Sequence, residues 1–380
     1  MAGTRGSGIS PVQKEYLDVL RSAIWGETPS RIPSDVKGVL DIANLHKTRP
    51  LILDALQKAG LEVTDPHDWE IIYRTTSSHV TLNRYLAKLI TYFDENGVRT
   101  VLLKGQGVAR NYPQPMLREC GDIDLYVGPE QYERACDLMK KFVAGTNITA
   151  DELTAKHYFV CSNGVYIELH QYCDILKNQR ENRFFQGIAA KGLSENLVPI
   201  TINDVTVNTP ADSFNAFFIF QHIWYHLING GIGFRQICDW ILFLHSRAGR
   251  LDTSVLDEAL DYLKLRSPWQ VFGSIAVDYL GLPADEMPFY VPGRQEEVAA
   301  LLSLILKEGN FGYALYGLDK RPTNFAEGKW FSMKVYLKRN RIFYRLFPER
   351  RHLIFRDALY YLFDGTRRAI KHILKGEKTD

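Results

Sequence analysis

The stretch Gly121-Asp-Ile-Asp-Leu-Tyr-Val127 decides the fold, because it alternates polar and apolar residues before a Gly128-Pro129 stop. Such alternation predicts a β-strand with one buried face and one face available for chemistry. Asp122 and Asp124 are two residues apart, so both carboxylates project from the same face. Two like charges about 4 Å apart repel by roughly 4 kcal/mol at an effective dielectric near 20, which favours a compensating cation. Carboxylate oxygens predict Mg²⁺ or Mn²⁺; a solvated strand edge is the alternative interpretation.

The segments next to this strand predict a small set of strands and helices around it. Arg99–Leu103 is a short β-rich run that ends at Lys104-Gly105, and Gly105–Asn111 is predicted to be a helix that begins where the run stops. Alternation on both sides of the Asn163-Gly164 turn predicts a hairpin. The remaining elements of this region are a helix from Pro129 to Phe142 and strands at His157–Cys161 and Val165–His170.

Helical periodicity dominates both ends of the chain. Apolar residues recur every three or four positions from Ser10 to Asn96 and again after Thr209. The C-terminal helices are predicted at 211–227, 234–246, 254–263, 269–279 and 296–306. We therefore expect an N-terminal helical region (1–97), a strand-containing core (98–208) and a C-terminal helical domain (209–380).

Three further residues suit a metal and phosphate site. Glu168 lies between Ile167 and Leu169 in a predicted strand, where its carboxylate would act as third metal ligand or as general base. An exposed strand glutamate is the alternative. Gly105 permits close backbone approach at a strand-to-helix junction, and the free N–H groups of the following turn would receive a triphosphate. Lys104 would add a positive charge beside it.

Several motifs, in matching order and spacing, resemble a known family. They are Leu102-Leu-Lys-Gly105, Tyr112-Pro113, Leu117-Arg118, Gly121–Val127 and Glu168-Leu-His170. This order resembles the bacterial nucleotidyltransferases of the DNA polymerase β-like superfamily, whose pattern reads LKG, Tyr-Pro, Leu-Arg and GDIDLLV. The resemblance extends from Thr100 to Leu244 and so into the C-terminal helices, where a pair of histidines precedes Arg235 and Asp239.

The resemblance implies an α+β fold, in which helices flank a small mixed sheet and an all-helical C-terminal domain closes over the nucleotide. It implies that an acceptor attacks the α-phosphorus of a nucleoside triphosphate in line, with pyrophosphate leaving. The ligands of Mg²⁺ or Mn²⁺ would be Asp122, Asp124 and Glu168. Nucleotide contacts are expected from Lys104, Gly105, Gln106, Arg118 and Gly121. Contacts to the substrate, or to residues that hold it, are expected from His170, His222, His226, Arg235 and Asp239.

Two positions depart from the wider superfamily, and several assignments keep an alternative. Gly105-Gln106-Gly107 replaces the usual Gly-Ser, and Glu168 replaces the commoner Asp. Arg118 is either a phosphate contact or a surface arginine. His222 and His226 are core histidines or phosphate contacts; a zinc protease site is excluded because Ile223, not glutamate, follows the first histidine. Arg235 and Asp239, four apart on a predicted helix, pair with one another or support the site at the domain junction.

The net charge, the glycine motifs and the cysteines each exclude or favour certain classes of protein. The 380 residues carry a formal charge of only +2, so the molecule as a whole is not suited to coat nucleic acid. The glycines after the first strand lack the third member of a dinucleotide fingerprint, and the chain has no Gly-Lys-Ser/Thr for a P-loop. The five cysteines form no CxxC pair, which predicts reduced thiols and, for Cys120, a packing role. Neither a leader nor a membrane span is recognisable, so a cytoplasmic location is expected.

The basic segment Lys329–Lys375 carries aromatic residues at helical intervals and is predicted to pack as a helix through them. A surface for an anionic partner, either a membrane or RNA, is the alternative. The acceptor stays open among a sugar, a small metabolite, a protein hydroxyl and an RNA end, because acceptor choice lies in the helical domain. Two other functions also stay open: a non-catalytic interaction protein with this fold, and a toxin-type nucleotidyltransferase that modifies tRNA or protein.

Overall fold

The computed structural model describes residues 9–154, 156–310 and 324–351 and the single residues 322 and 356. This part of the chain is α+β, as the sequence predicts. Its strands are β1 (Val101–Leu103), β2 (Asp122–Tyr126), β3 (Ile148–Leu153), β4 (His157–Ser162), β5 (Val165–His170), β6 (Val198–Ile202) and β7 (Val205–Thr209). Its helices are α1 (Pro11–Trp25), α2 (Val36–Leu45), α3 (Arg49–Lys58), α4 (Pro66–Glu95), α5 (Gly105–Ala109), α6 (Tyr132–Phe142), α7 (Gln179–Gly192), α8 (Asp212–Asn229), α9 (Phe234–Ser246), α10 (Thr253–Tyr262), α11 (Arg266–Ser274), α12 (Gln295–Glu308) and α13 (Phe325–Leu346).

The main sheet has five strands in the order β1-β2-β5-β4-β3, and β6 and β7 form a separate hairpin. β2 and β5 are parallel, whereas the other neighbouring pairs are antiparallel, so the sheet is mixed. β2 therefore lies inside the sheet with a hydrogen-bonded strand on each side. This position fixes the register of the Asp-x-Asp strand on both edges.

One face of the sheet is covered by α4 and α6. Their apolar side chains share a buried cluster with Ile123, Leu125, Ile167 and Leu169 of the two central strands. These residues alternate along the strands with the acidic ones, so burying them turns the acidic residues to the opposite face. The long helix α4 begins cleanly because the side chain of Asp65 accepts a hydrogen bond from the backbone of the first turn.

The second and larger core joins the two ends of the chain. Residues of α1–α3 share one hydrophobic cluster with residues of α8–α12. α1 starts with a capping box between Ser10 and Gln13, which satisfies two backbone N–H groups at the helix N-terminus. The first three helices thus pack with the C-terminal helices, while α4 packs on the sheet. The domain boundaries near residues 97 and 208 stay a prediction.

Some elements differ from their predicted bounds or escape prediction. The helix predicted from Pro129 begins at Tyr132, because Gly128 with φ +76° and the next residues form a turn first. β3 was not predicted, since Ile148–Leu153 is an exposed edge strand that contains acidic residues. The β6–β7 hairpin was also missed, although Asn203 and Asp204 at its turn both have positive φ, as two-residue hairpin turns require.

Part of the basic segment 329–375 is described. Phe343 and Phe347 are fully buried, and their rings contact Trp224 of α8 edge-to-face at centroid distances of 5.8 and 5.3 Å. The aromatic packing predicted for this segment is confirmed at these two residues. Residues 352–355 and 357–375 lie outside the described residues, and an anionic partner at this segment stays a prediction. Within the described part, no helix combines the length and the apolar character needed to cross a membrane.

Candidate functional site

The carboxylates predicted as metal ligands come together on the open face of the sheet. The parallel register of β2 and β5 places Asp124 beside Glu168 and Asp122 beside Tyr166. Residues that are register partners in neighbouring strands point to the same side, so all three carboxylates share one face. Asp124 is 3% exposed, whereas the side chain of Glu168 is 27% exposed. The site therefore has a buried floor at Asp124 and an accessible rim at Glu168.

Two basic side chains hold Asp124 in place. His170 Nε2 lies 2.9 Å from one carboxylate oxygen of Asp124 and 3.2 Å from a carboxylate oxygen of Glu168. Lys104 Nζ lies 3.3 Å from the other oxygen of Asp124. His170 thus bridges the two strands, and the cationic Lys104 stands at the end of β1 as the sequence predicts.

The backbone at Lys104 and Gly105 turns sharply where β1 ends. Lys104 has φ +51° and ψ −141°, and Gly105 has φ +47°. Positive φ is unfavourable for a residue with a Cβ, so Lys104 is strained by roughly 1–3 kcal/mol. A Cβ added at Gly105 would lie 3.5 Å from the backbone oxygen of Asp122. The turn therefore brings the chain close to the acidic strand, with Lys104 directed toward it.

Repulsion between the carboxylates shows in their protonation. Asp124, together with burial, raises the pKa of Asp122 to about 6, against the opposing attraction of Lys104. Burial would also raise the pKa of Asp124, but Lys104 and the hydrogen bond from His170 outweigh it and hold that pKa well below its ordinary value. Asp124 is thus the firmly ionised carboxylate of the pair, whereas the negative charge of Asp122 is not fully compensated by nearby cations.

Glu168 and His170 are shifted by each other. Burial acts to raise the pKa of Glu168, but the hydrogen bond with His170 brings it below its ordinary value. Burial acts to lower the pKa of His170, but hydrogen bonds to Asp124 and Glu168 raise it, which favours the protonated imidazole. His170 Nε2 is thus held between the carboxylates of Asp124 and Glu168.

His157 belongs to the same face, although sequence reasoning did not select it. The β4–β5 hairpin makes His157 the register partner of His170, and its Nδ1 lies 4.0 Å from a carboxylate oxygen of Glu168. That nitrogen is buried without a hydrogen-bond partner. The neighbouring Lys156 was also missed; its Nζ pairs with Asp174 at 3.0 Å. The signal for His157 was available in the turn at Asn163-Gly164, which sets the hairpin register.

A cleft of about 350 Å³ opens over this face, and α8 and α9 form its opposite wall. Predicted residues from both the strand region and the C-terminal helices line it, together with Lys156 and His157. Its lining includes Lys104, Gly105, Arg118, Asp122, Asp124, Lys156, His157, Glu168, His170, His222, His226, Arg235 and Asp239. Gln106 and Gly121, predicted as nucleotide contacts, are not part of this lining. Gln106 is 4% exposed, and Gly121 is exposed at the start of the acidic strand.

The histidines of α8 face the cleft with neutral rings. The rings of His222 and His226 lie 4.3 Å apart, edge-to-face. Burial and nearby cations, Lys104 first among them, lower the pKa of His222 well below its ordinary value and that of His226 to about 4. Both therefore offer neutral hydrogen-bonding groups rather than charge.

Arg118 and Asp239 form a buried clamp between the sheet region and α9. The guanidinium donates to both carboxylate oxygens, with Nε–Oδ1 of 2.8 Å and Nη2–Oδ2 of 2.6 Å. Tyr112 also donates to Asp239, with an O–O distance of 2.7 Å. Asp239 thus pairs with Arg118 and not with Arg235, its neighbour four residues away. Arg118 is 3% exposed, which excludes the alternative of a surface arginine.

Arg235 and Cys120 lie next to this clamp. Arg235 Nη1 donates to the backbone oxygen of Glu119 at 3.0 Å, while its Nε is buried without a hydrogen-bond partner. Arg118 Nη1 donates to the sulfur of Cys120 at 2.7 Å. All five cysteines are free. Cys120 thus lies against the clamp, and Arg235 keeps donor capacity at the wall of the cleft.

The donor set fits a hard divalent cation. Asp122, Asp124 and Glu168 supply carboxylate oxygens on one face, which are the ligands that Mg²⁺ and Mn²⁺ favour. Repulsion from Asp124 and burial raise the pKa of Asp122 to about 6 in spite of the attraction of Lys104. A bound cation would supply the missing charge.

The chain is similar to known nucleotidyltransferases. A family profile described as "Uncharacterised nucleotidyltransferase" matches residues 33–281, more than half of the chain. The matched range contains the whole sheet together with α8 and α9. A solved structure, that of an antigenic nucleotidyltransferase-like protein from Paracoccidioides brasiliensis, shares 13% sequence identity; the match covers 52% of this chain and 92% of that one, with a TM-score of 0.34. No curated protein matches the chain.

Proposed function

This chain belongs to the family of uncharacterised nucleotidyltransferases, and from that membership we propose that it transfers a nucleoside monophosphate from a nucleoside triphosphate to a hydroxyl or phosphate acceptor. The bond between the α- and β-phosphates would break, a new bond to the acceptor oxygen would form, and pyrophosphate would leave. The acceptor stays open among a sugar, a small metabolite, a protein and an RNA end.

One observation carries the proposal. The register of β2 and β5 puts Asp124 beside Glu168, with Asp122 on the same face, in a cleft that Lys104 also enters. Buried carboxylates that lack full neutralisation are unfavourable to folding and persist where a ligand needs them. Their convergence in a family of nucleotidyltransferases favours a catalytic role.

Asp122, Asp124 and Glu168 would hold one or two Mg²⁺ or Mn²⁺ ions. When bound, the cation would neutralise the phosphates and stabilise charge that develops in the transition state. Glu168 suits the role of ligand better than that of general base, because its pKa lies below the ordinary value and an effective base has a pKa near the working pH.

The cationic and neutral groups of the cleft suit the phosphate chain of the nucleotide. Lys104 is held 3.3 Å from Asp124 and would meet a phosphate that shares the same cation. Arg235 lines the cleft, and its guanidinium would contact a phosphate oxygen from the helical wall. The neutral rings of His222 and His226 would donate or accept hydrogen bonds nearby.

Arg118 would act indirectly. Its guanidinium is occupied by Asp239, so we assign it to holding α9 against the strand region rather than to the triphosphate. Breaking this clamp would let the helical wall, which carries Arg235, move relative to the carboxylates. The predicted nucleotide contacts of Gln106 and Gly121 keep no support from the geometry of the cleft.

Label transfer from each nucleoside triphosphate tests the proposal. The protein is incubated with each α-³²P-labelled nucleoside triphosphate, Mg²⁺ or Mn²⁺, and small-molecule, protein or RNA fractions of cell extract. We expect pyrophosphate release and label in one fraction. Asp124→Asn should lower the rate by at least about 100- to 1000-fold, because the buried ligand is lost.

The matched control is Asp151→Asn, which changes an exposed aspartate in β3 of the same sheet. It should keep the wild-type rate. Metal-dependent stabilisation by a nonhydrolysable nucleotide is measured in parallel, since a ligand at 100 times its Kd adds about 2.7 kcal/mol. Absence of both transfer and stabilisation for all four nucleotides would contradict the proposal and favour a non-catalytic protein.

A further inference from the structure

Two histidines place nitrogen atoms next to the carboxylates of the proposed site. His157 and His170 are register partners across β4 and β5, with ring centroids 5.3 Å apart. One nitrogen of each ring and a carboxylate oxygen of Glu168 all lie within 4.8 Å of one another. The proposed function does not use His157, and nothing in the chain's three-carboxylate pattern requires it.

We propose that His157, Glu168 and His170 form a nitrogen-containing metal site, with Asp124 at its edge, and that the protein therefore binds Mn²⁺ in preference to Mg²⁺. This site would bind the metal of the proposed function. Only the use of that metal in nucleotide transfer rests on the proposed function. The binding itself is tested without any nucleotide.

The distances suit a small divalent ion. For metal–ligand distances of about 2.1–2.2 Å, adjacent ligand atoms of an octahedral site lie roughly 3 Å apart. His170 Nε2 is 2.9 Å from Asp124 and 3.2 Å from Glu168, and His157 Nδ1 is 4.0 Å from Glu168. His170 therefore stands at ligand spacing from both carboxylates. A shift of under about 1 Å in the half-buried ring of His157 would bring in a fourth donor.

The donor types decide which metal this site favours. Imidazole suits transition metals, and Mn²⁺ accepts a nitrogen ligand more readily than Mg²⁺ does, because Mg²⁺ favours oxygen and retains its water. His157 Nδ1 is buried and unpartnered while it faces a carboxylate. A buried imidazole nitrogen without a partner is costly, and a metal would satisfy it. The oxygen donors alone would serve either metal, so the two histidines create the difference.

Pulsed EPR of the full chain with Mn²⁺ alone is the direct test, because it detects the nuclear spin of coordinating ¹⁴N. We expect ¹⁴N coupling from wild-type protein with Mn²⁺ bound, and a loss of the His157 contribution in His157→Gln. The Mn²⁺ Kd should rise at least about tenfold in that variant, whereas the Mg²⁺ Kd should change less than about threefold. His157→Asn provides a second variant if the first does not fold.

The matched control is His222→Gln, which removes a histidine of the same cleft that is outside the proposed ligand set. It should keep the ¹⁴N coupling. Bound Mn²⁺ without ¹⁴N coupling, coupling that depends on His222 instead, or no Mn²⁺ binding would each overturn the inference. Nucleotide transfer is assayed separately. If ¹⁴N coupling is seen without transfer, the metal site is supported and the proposed function is contradicted. If transfer occurs but the bound Mn²⁺ shows no ¹⁴N coupling, the proposed function is supported and the nitrogen-containing site is contradicted.

Discussion

Two regions that border the cleft use buried charge in opposite ways. On the sheet, Asp122 and Asp124 share one face with Glu168, and repulsion raises the pKa of Asp122 to about 6. On the helical side, the carboxylate of Asp239 is matched by the guanidinium of Arg118 at 2.6 and 2.8 Å. A buried charge that has a full protein partner holds elements together, whereas one that lacks it marks where a ligand is needed. Arg118 and Asp239 therefore hold elements in place, whereas the acidic residues of the sheet are the proposed binding residues.

The largest expected effect comes from breaking the clamp. Arg118→Met should lower the free energy of unfolding by about 3–5 kcal/mol, because it leaves Asp239 buried without its counter-charge. Urea denaturation followed by circular dichroism measures the loss. Adding Asp239→Leu should recover most of it, since the pair is then replaced by apolar side chains.

The control for the clamp is an exposed pair of the same chemistry. Arg74 and Glu70 lie 3.9 Å apart on α4, with side chains 72% and 61% exposed. Arg74→Met should cost less than about 1 kcal/mol, as exposed ion pairs contribute little. If Arg118→Met costs no more than this control, the clamp does not hold α9 and the comparison fails.

At the carboxylates of the sheet, a substitution is expected to stabilise the protein, by less than loss of the clamp destabilises it. The folded-state pKa of Asp122, about 6, lies above the ordinary value of 3.8, so its ionisation costs stability as pH rises from 3.8 to about 6, and the cost stays constant above that. Asp122→Asn removes that cost and should stabilise the metal-free protein by on the order of 1–3 kcal/mol at pH 7.5. The gain should fall by about half at pH 5, where the wild-type carboxyl is largely protonated.

Urea midpoints of both proteins at pH 7.5 and pH 5, in the presence of a chelator, test this prediction. Asp137→Asn serves as control, because Asp137 is 71% exposed on α6 and its neutralisation should leave the midpoint unchanged within about 0.5 kcal/mol. The same Asp122→Asn variant should lose nucleotide transfer. A variant that is destabilised at both pH values would show that the carboxylates are already neutralised.

The acidic face could be predicted from the sequence because its geometry is local. Asp122 and Asp124 have strand spacing, and Glu168 follows a hairpin turn. The same turn also predicts His157: counting outward from Asn163-Gly164, Ser162 meets Val165 and His157 meets His170, as observed. That histidine was overlooked although its position followed from an element that was predicted correctly.

The clamp could not be predicted in the same way. Arg118 and Asp239 are 121 residues apart, and nothing local to either residue specifies the other. Spacing on the predicted helix suggested Arg235 as the partner of Asp239, but in the fold that carboxylate is bound by Arg118 and Tyr112 instead. The exposed acidic strand β3 escaped for a related reason, since it has no alternating apolar face to indicate it.

The smallest predicted effect concerns the backbone strain at Lys104, on the sheet side of the cleft. Lys104 has φ +51° next to the acidic strand. Lys104→Gly and Lys104→Ala both remove the ammonium group near Asp124, so they should reduce transfer equally. They differ only in the backbone, where glycine adopts positive φ without a Cβ penalty. Lys104→Gly should therefore be about 1 kcal/mol more stable than Lys104→Ala in urea denaturation.

Lys264 gives the matched control for this pair of variants. It also has positive φ, +55°, but lies in the exposed turn after α10. Glycine should again be more stable than alanine there, while transfer stays at the wild-type rate for both. Equal stability of the two Lys104 variants would mean that the turn relaxes once the side chain is removed. The strained backbone would then result from the attraction between Lys104 and the carboxylates, and would not be a preformed part of the site.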